Sequence, residues 1–108
     1  MIDEIDSLDL HRQLQAGADI PLIDIRTPAE TAQGIIPGAE TLPMHLIPLR
    51  LHELPRDREI VLYCRSGARS YHACSFLVQQ GFDKVLNLRG GIADWARQGL
   101  EITLPGAG

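Results

Sequence analysis

Short apolar runs alternate with amphipathic stretches along the whole chain. Ile2 to Ile5 reads as a brief first strand. Behind it Ser7 can cap a helix to about Ala16, carrying Leu8, Leu10, His11 and Leu14, with Gly17 to close it. Pro21-Leu22-Ile23-Asp24-Ile25 predicts a second strand. Thr27-Pro28-Ala29-Glu30 follows as a capping box: threonine at the N-cap, proline at the first helical position where its missing N–H is harmless, and glutamate three residues on.

Pro37-Gly38-Ala39 is a turn into a third strand near Glu40 to Leu42. Met44 to Leu54 contains Pro48, which splits it into two short helical pieces, the second with Leu49, His52 and Glu53. After the polar turn Pro55-Arg56-Asp57-Arg58, the run Glu59-Ile60-Val61-Leu62-Tyr63 reads as a buried strand. A helix from about Ala68 to Gln80 ends at Gly81, with Cys74, Leu77 and Val78 on one stripe. Lys84 to Leu88 is the fifth strand, Gly90-Gly91 a turn, and Ile92 to Gln98 a last helix stopped by Gly99. The residues from about 103 to 108 read as a loose tail.

This alternation predicts an α/β domain with a mainly parallel five-stranded sheet and helices on both faces. Such sheets bind ligands beyond the carboxyl ends of their strands. Arg26, Met44, His45, Cys64 and Arg89 all follow predicted strands and so share one edge.

A length of 108 residues fits a single domain, and 44% apolar with 22% charged residues is ordinary for a globular chain. The N-terminus lacks the apolar core of a secretion signal, which makes the cytoplasm the expected location. A net charge of −4 argues against nucleic acid or an anionic membrane as the main partner. Arg65, Arg69, Arg26 and Arg89 nevertheless gather on the expected binding edge, where they favour a small anion.

Cys64 and Cys74 match neither a Cys-x-x-Cys pair nor a zinc spacing, and His11, His52 and His72 have no metal-ligand spacing. These histidines read as surface residues, and no metal is expected. Cys74, on an apolar helical stripe, reads as a buried small hydrophobe. Cys64 stands at a strand end before a small-residue loop and a helix. Loop N–H groups and the helix N-terminus can converge on its sulfur and favour a thiolate.

The run Cys64-Arg65-Ser66-Gly67-Ala68-Arg69-Ser70 resembles the active-site loop of the rhodanese (thiosulfate sulfurtransferase) superfamily. Asp24-Ile25-Arg26-Thr27-Pro28-Ala29-Glu30, with Gly34-Ile35-Ile36-Pro37-Gly38-Ala39, is similar to the first signature of that family. Val85 to Trp95, with Gly90-Gly91 inside it, is similar to the C-terminal one. One position departs: Ile35 stands where the family usually has histidine, a variation in packing.

The resemblance implies a rhodanese-like three-layer domain and a sulfurtransferase without metal or organic cofactor. Cys64 is then the nucleophile, and the backbone from Arg65 through Ser66, Gly67, Ala68, Arg69 and Ser70 cradles the anion. Arg69 covers the anion or holds the loop, Arg65 steers substrate from the rim, and Asp24 with Arg26 supports the loop as a salt bridge. Trp95 packs the last helix on the sheet and can wall the pocket. Expected partners are thiosulfate or a persulfide as donor, cyanide or a thiol as acceptor, and a thiol-bearing protein. A relay or partner-binding module with incidental thiosulfate activity is the alternative. Phosphatase and arsenate-reductase relatives carry one more residue between cysteine and arginine, so the loop length here favours sulfur transfer.

Overall fold

The central strand shows how the sequence builds the layers. Ile60, Val61, Leu62 and Tyr63 are all buried, as a strand covered on both faces requires. Successive side chains point to opposite faces. Ile60, Leu62 and then Cys64 join one apolar cluster with Ala73, Cys74 and Leu77. Val61 and Tyr63 join the other with Leu10, Ile92 and Trp95.

The computed structural model describes residues 2–106. Its strands are β1 (Asp3–Ile5), β2 (Leu22–Asp24), β3 (Glu40–Thr41), β4 (Ile60–Tyr63) and β5 (Val85–Leu88). They form one sheet in the order β1-β5-β4-β2-β3, with every pairing parallel. The helices are α1 (Ser7–Gln15), α2 (Pro28–Thr31), α3 (Ala68–Gln79) and α4 (Gly91–Arg97), with two 3-10 turns at Met44–Leu49 and Leu51–Glu53. None of the described helices is long and apolar enough to cross a membrane.

Register fixes the binding edge. Asp24 stands opposite Tyr63, Leu62 opposite Asn87, and Ile5 opposite Leu88. The chain therefore leaves β2, β4, β5 and β1 at nearly one level. The Ile25 N–H donates to Tyr63 C=O, Met44 N–H to Ile25 C=O, and Arg89 N–H to Ile5 C=O. Cys64 sits in the middle of that edge.

Several local expectations are corrected. Asp6, not Ser7, caps α1: its carboxylate accepts from Asp9 N–H at 2.8 Å, while buried Ser7 donates to Asp94 at 3.0 Å. Leu49 belongs to the first 3-10 turn. Val78 is exposed, because the buried stripe of α3 runs through Ser70, Ala73, Cys74 and Leu77 and leaves it at the margin. His11 is half-buried with its ring edge-on to Trp95, at 5.8 Å between centroids. The tail begins later than expected, since Thr103 bridges Ile35 through N–H···O contacts of 2.7 and 2.8 Å. Ala107 and Gly108 of that tail lie outside the described residues. The capping box at Thr27 and Glu30 forms as expected, with Pro28 in the first turn.

Candidate functional site

After Tyr63 the chain turns sharply, and the turn sorts its polar groups by direction. N–H groups face the cysteine sulfur: Cys64 Sγ accepts from Gly67 N–H at 3.1 Å and Ser70 N–H at 3.4 Å, with Ser70 Oγ also at 3.4 Å. Carbonyls face the other way, where Cys64 C=O accepts from Ile92 N–H at 2.9 Å and Arg65 C=O from Ala93 N–H at 3.0 Å. The start of α4 thus anchors the back of the loop.

Two glycines make this possible. Gly67 precedes α3 at φ 99°, where other residues are strained, and a Cβ there would lie 3.3 Å from Gly90 N and Leu88 O. Gly91 sits at φ 60°, and a Cβ there would lie 2.4 Å from the carbonyl oxygens of both Cys64 and Arg65.

Cys64 is 1% exposed. Burial by itself pushes its thiol pKa up. The Ser70 hydroxyl and the N–H groups of Ser70, Gly67 and Ser66 outweigh that effect, so the pKa lies below the ordinary thiol value. Arg65, Ser66 and Ala68 are exposed around it.

Arg69 does not lie free beside the sulfur. Its two terminal nitrogens each meet a Glu30 carboxylate oxygen at 2.8 Å, a bidentate pair between α3 and α2. This pair, helped by the Thr27 N–H and hydroxyl, holds the Glu30 carboxyl down at about 2. The same carboxylate serves the capping box, so one side chain joins a local motif to a distant arginine.

Asp24 and Arg26 form the expected salt bridge, buried, with the Arg26 N–H and guanidinium on the carboxylate at 2.7 to 3.1 Å. Arg26 also donates to Gly34 C=O at 2.6 Å, which ties the end of β2 to the segment that bridges Thr103. Burial opposes the Arg26 charge, and Asp24 more than restores it.

An open cleft of about 600 Å³ runs beside the loop, bordered by Arg26, Glu30, Gly34, Arg65, Ile92 and Ala96. Cys64 and Trp95 are not among its lining residues. Trp95 instead fills the core and donates its indole N–H to Glu101 C=O at 2.7 Å. Met44 and His45 are exposed on the same edge of the sheet, away from this cleft.

Sequence reasoning passed over three residues of the site. Glu30 was legible only as a helix cap. Gly91 was legible only as a turn. Asn87, a polar residue within an apolar strand, is 1% exposed and bonds Ser70; its polarity in that setting was the available signal.

The model of the rhodanese-like domain matches residues 7–98. A protein of Allochromatium vinosum named sulfurtransferase is 62% identical over 105 residues, covering 97% of this chain and 98% of that one. The thiosulfate sulfurtransferase GlpE of Pseudoalteromonas translucida is 38% identical over 77 residues, covering 71% and 73%. Among solved structures, the rhodanese-like domain protein from Staphylococcus aureus superposes with a TM-score of 0.85 at 32% identity, covering 94% of this chain and 99% of that one.

Proposed function

The chain belongs to the rhodanese-like domain family, and from that premise we propose that it is a sulfurtransferase that carries sulfane sulfur on Cys64. The observation that supports this reading best is the polarity of the loop. A buried sulfur held by Gly67 N–H, Ser70 N–H and the Ser70 hydroxyl suits an anion, either thiolate or persulfide.

In the first half-reaction the Cys64 thiolate attacks the outer sulfur of thiosulfate. The new S–S bond forms as the old one breaks, and its electron pair leaves with sulfite. In the second, cyanide or a thiolate takes the outer sulfur from the persulfide, leaving as thiocyanate or a new persulfide and returning the Cys64 thiolate. Charge balances in both halves, and the scheme is ping-pong. No proton moves in the key step, so no general base beside Cys64 is needed. Exposed Arg65, on the cleft, steers the anionic donor, and the paired Asp24 and Arg26 hold the end of β2 beneath it.

Steady-state turnover with thiosulfate, with glutathione persulfide and with a protein persulfide as donor tests the reading. Parallel lines in double-reciprocal plots with at least one small donor, lost in Cys64→Ser, are expected. Transfer from the protein donor alone would move the assignment to a relay module, and no transfer from any donor would overturn it.

A further inference from the structure

A hydroxyl has one proton to donate, and two groups compete for that of Ser70. Its Oγ lies 2.5 Å from Asn87 Oδ1 and 3.4 Å from Cys64 Sγ. The Asn87 amide cannot turn round. Its nitrogen lies 2.8 Å from a Glu4 carboxylate oxygen and 3.1 Å from Gly67 C=O, groups that only accept, so its oxygen must face Ser70. The closer acceptor takes the proton. Ser70 Oγ is then free only to accept from a neutral Cys64 thiol.

A thiolate or persulfide has no proton to give and needs Ser70 as donor. We infer that Asn87 is a positioning residue for the nucleophile: it holds the Ser70 proton while Cys64 is a thiol and yields it to the sulfur when Cys64 becomes an anion. Asn87 therefore opposes ionisation while it keeps Ser70 aimed. Through Gly67 C=O the same amide steadies the residue whose N–H is the nearest donor to the sulfur.

Other charged groups lie on the elements packed around this switch. On α3, Arg69 is paired with Glu30 of α2 and buried Cys74 has its thiol pushed up to about 12. On β2, Asp24 is paired with Arg26, and on β1, Glu4 faces Asn87 with Arg89 at 3.5 Å. Arg65 is the exposed cation of the loop. Burial pushes the Cys74 thiol up while the donors around Cys64 bring its thiol down, and peptide mapping of the alkylated residue assigns the transition to Cys64.

The inference rests on reading Cys64 as the sulfur carrier, but its tests use neither donor nor acceptor and so fail separately from that reading. Iodoacetamide alkylation of Cys64 is followed against pH in four proteins: wild type, Asn87→Leu, Ser70→Ala and the double variant. Asn87→Leu is expected to move the profile to lower pH and speed alkylation below the midpoint roughly threefold or more, the scale of one hydrogen bond. Ser70→Ala is expected to move it to higher pH, and adding Asn87→Leu to Ser70→Ala to bring no shift back to lower pH.

A shift from Asn87→Leu that is absent, upward, or equal in size with and without Ser70 would overturn the inference. A second measurement needs no substitution. In the wild type, the side-chain amide resonances of Asn87 in nitrogen-15 spectra should move along the same curve as the alkylation of Cys64. Stationary resonances through that titration would overturn it equally.

Discussion

Two cysteines lie in one apolar cluster, both essentially without exposure, and the protein treats them in opposite ways. Cys74, in mid-helix on α3, meets no backbone donor among the described residues, and burial pushes its thiol up to about 12. Cys64 suffers the same burial, but a turn delivers N–H groups and a hydroxyl to its sulfur and brings its pKa below the ordinary value. Burial silences a thiol unless the backbone is bent to solvate it. The difference between the two pockets therefore lies in Gly67, Gly91 and the first turn of α3, rather than in the cysteines.

The largest expected effect comes from removing one side of that contrast. Cys64→Ser should abolish sulfur transfer with the fold retained, because an unactivated hydroxyl cannot stand in for a thiolate. Turnover and circular dichroism check this. Comparable loss in a folded Cys74→Ser protein would erase the contrast.

Next is Gly91→Ala, which attacks the cradle and spares both thiols. Its Cβ would stand 2.4 Å from the Cys64 and Arg65 carbonyls, so the loop must move. Activity should fall about tenfold or more, with about 1–3 kcal/mol of stability lost. In iodoacetamide profiles the Cys64 transition should rise toward that of Cys74; an unmoved transition would show that the loop carbonyl anchors do not shape the cradle.

Glu30→Gln tests whether a charge behind the cradle matters. Freed from its carboxylate, Arg69 should lower the KM for thiosulfate severalfold, an effect blunted by salt. Stability gives an independent reading. The Glu30 pKa is depressed from 4.5 to about 2, so its contribution is complete above about pH 4.5 and lost as pH falls to about 2. Glu30→Gln should remove that part of the acid limb, about 1 kcal/mol or less after screening. An unchanged KM with a changed acid limb would make the pair purely structural.

Cys74→Ser should have the smallest effect on activity, keeping most of the rate and losing about 1–3 kcal/mol for a hydroxyl in an apolar site. Thermal unfolding beside turnover checks both halves.

The two pockets also differ in how far the sequence disclosed them. Element order was legible because apolar runs, glycines and prolines act locally, and Cys64 stood out at a strand end. Cys74 was legible as a core residue from its spacing to Leu77. What surrounds Cys64 was less so, because Arg69 and Glu30 are 39 residues apart and Ser70 and Asn87 are 17 apart. Only the parallel register and helix placement bring those pairs together. The same limit explains the misplaced cap of α1: Ser7 is drawn to Asp94, 87 residues on, which leaves Asp6 to cap. It also explains Thr103, whose pairing with Ile35 no local pattern announces.

Intact mass measured after thiosulfate treatment and removal of excess, with peptide mapping, tests the central claim that the bent backbone makes Cys64 the sulfur carrier. The account predicts one added sulfur atom, located on Cys64 and removed by cyanide. No added sulfur, or sulfur on Cys74, would contradict it.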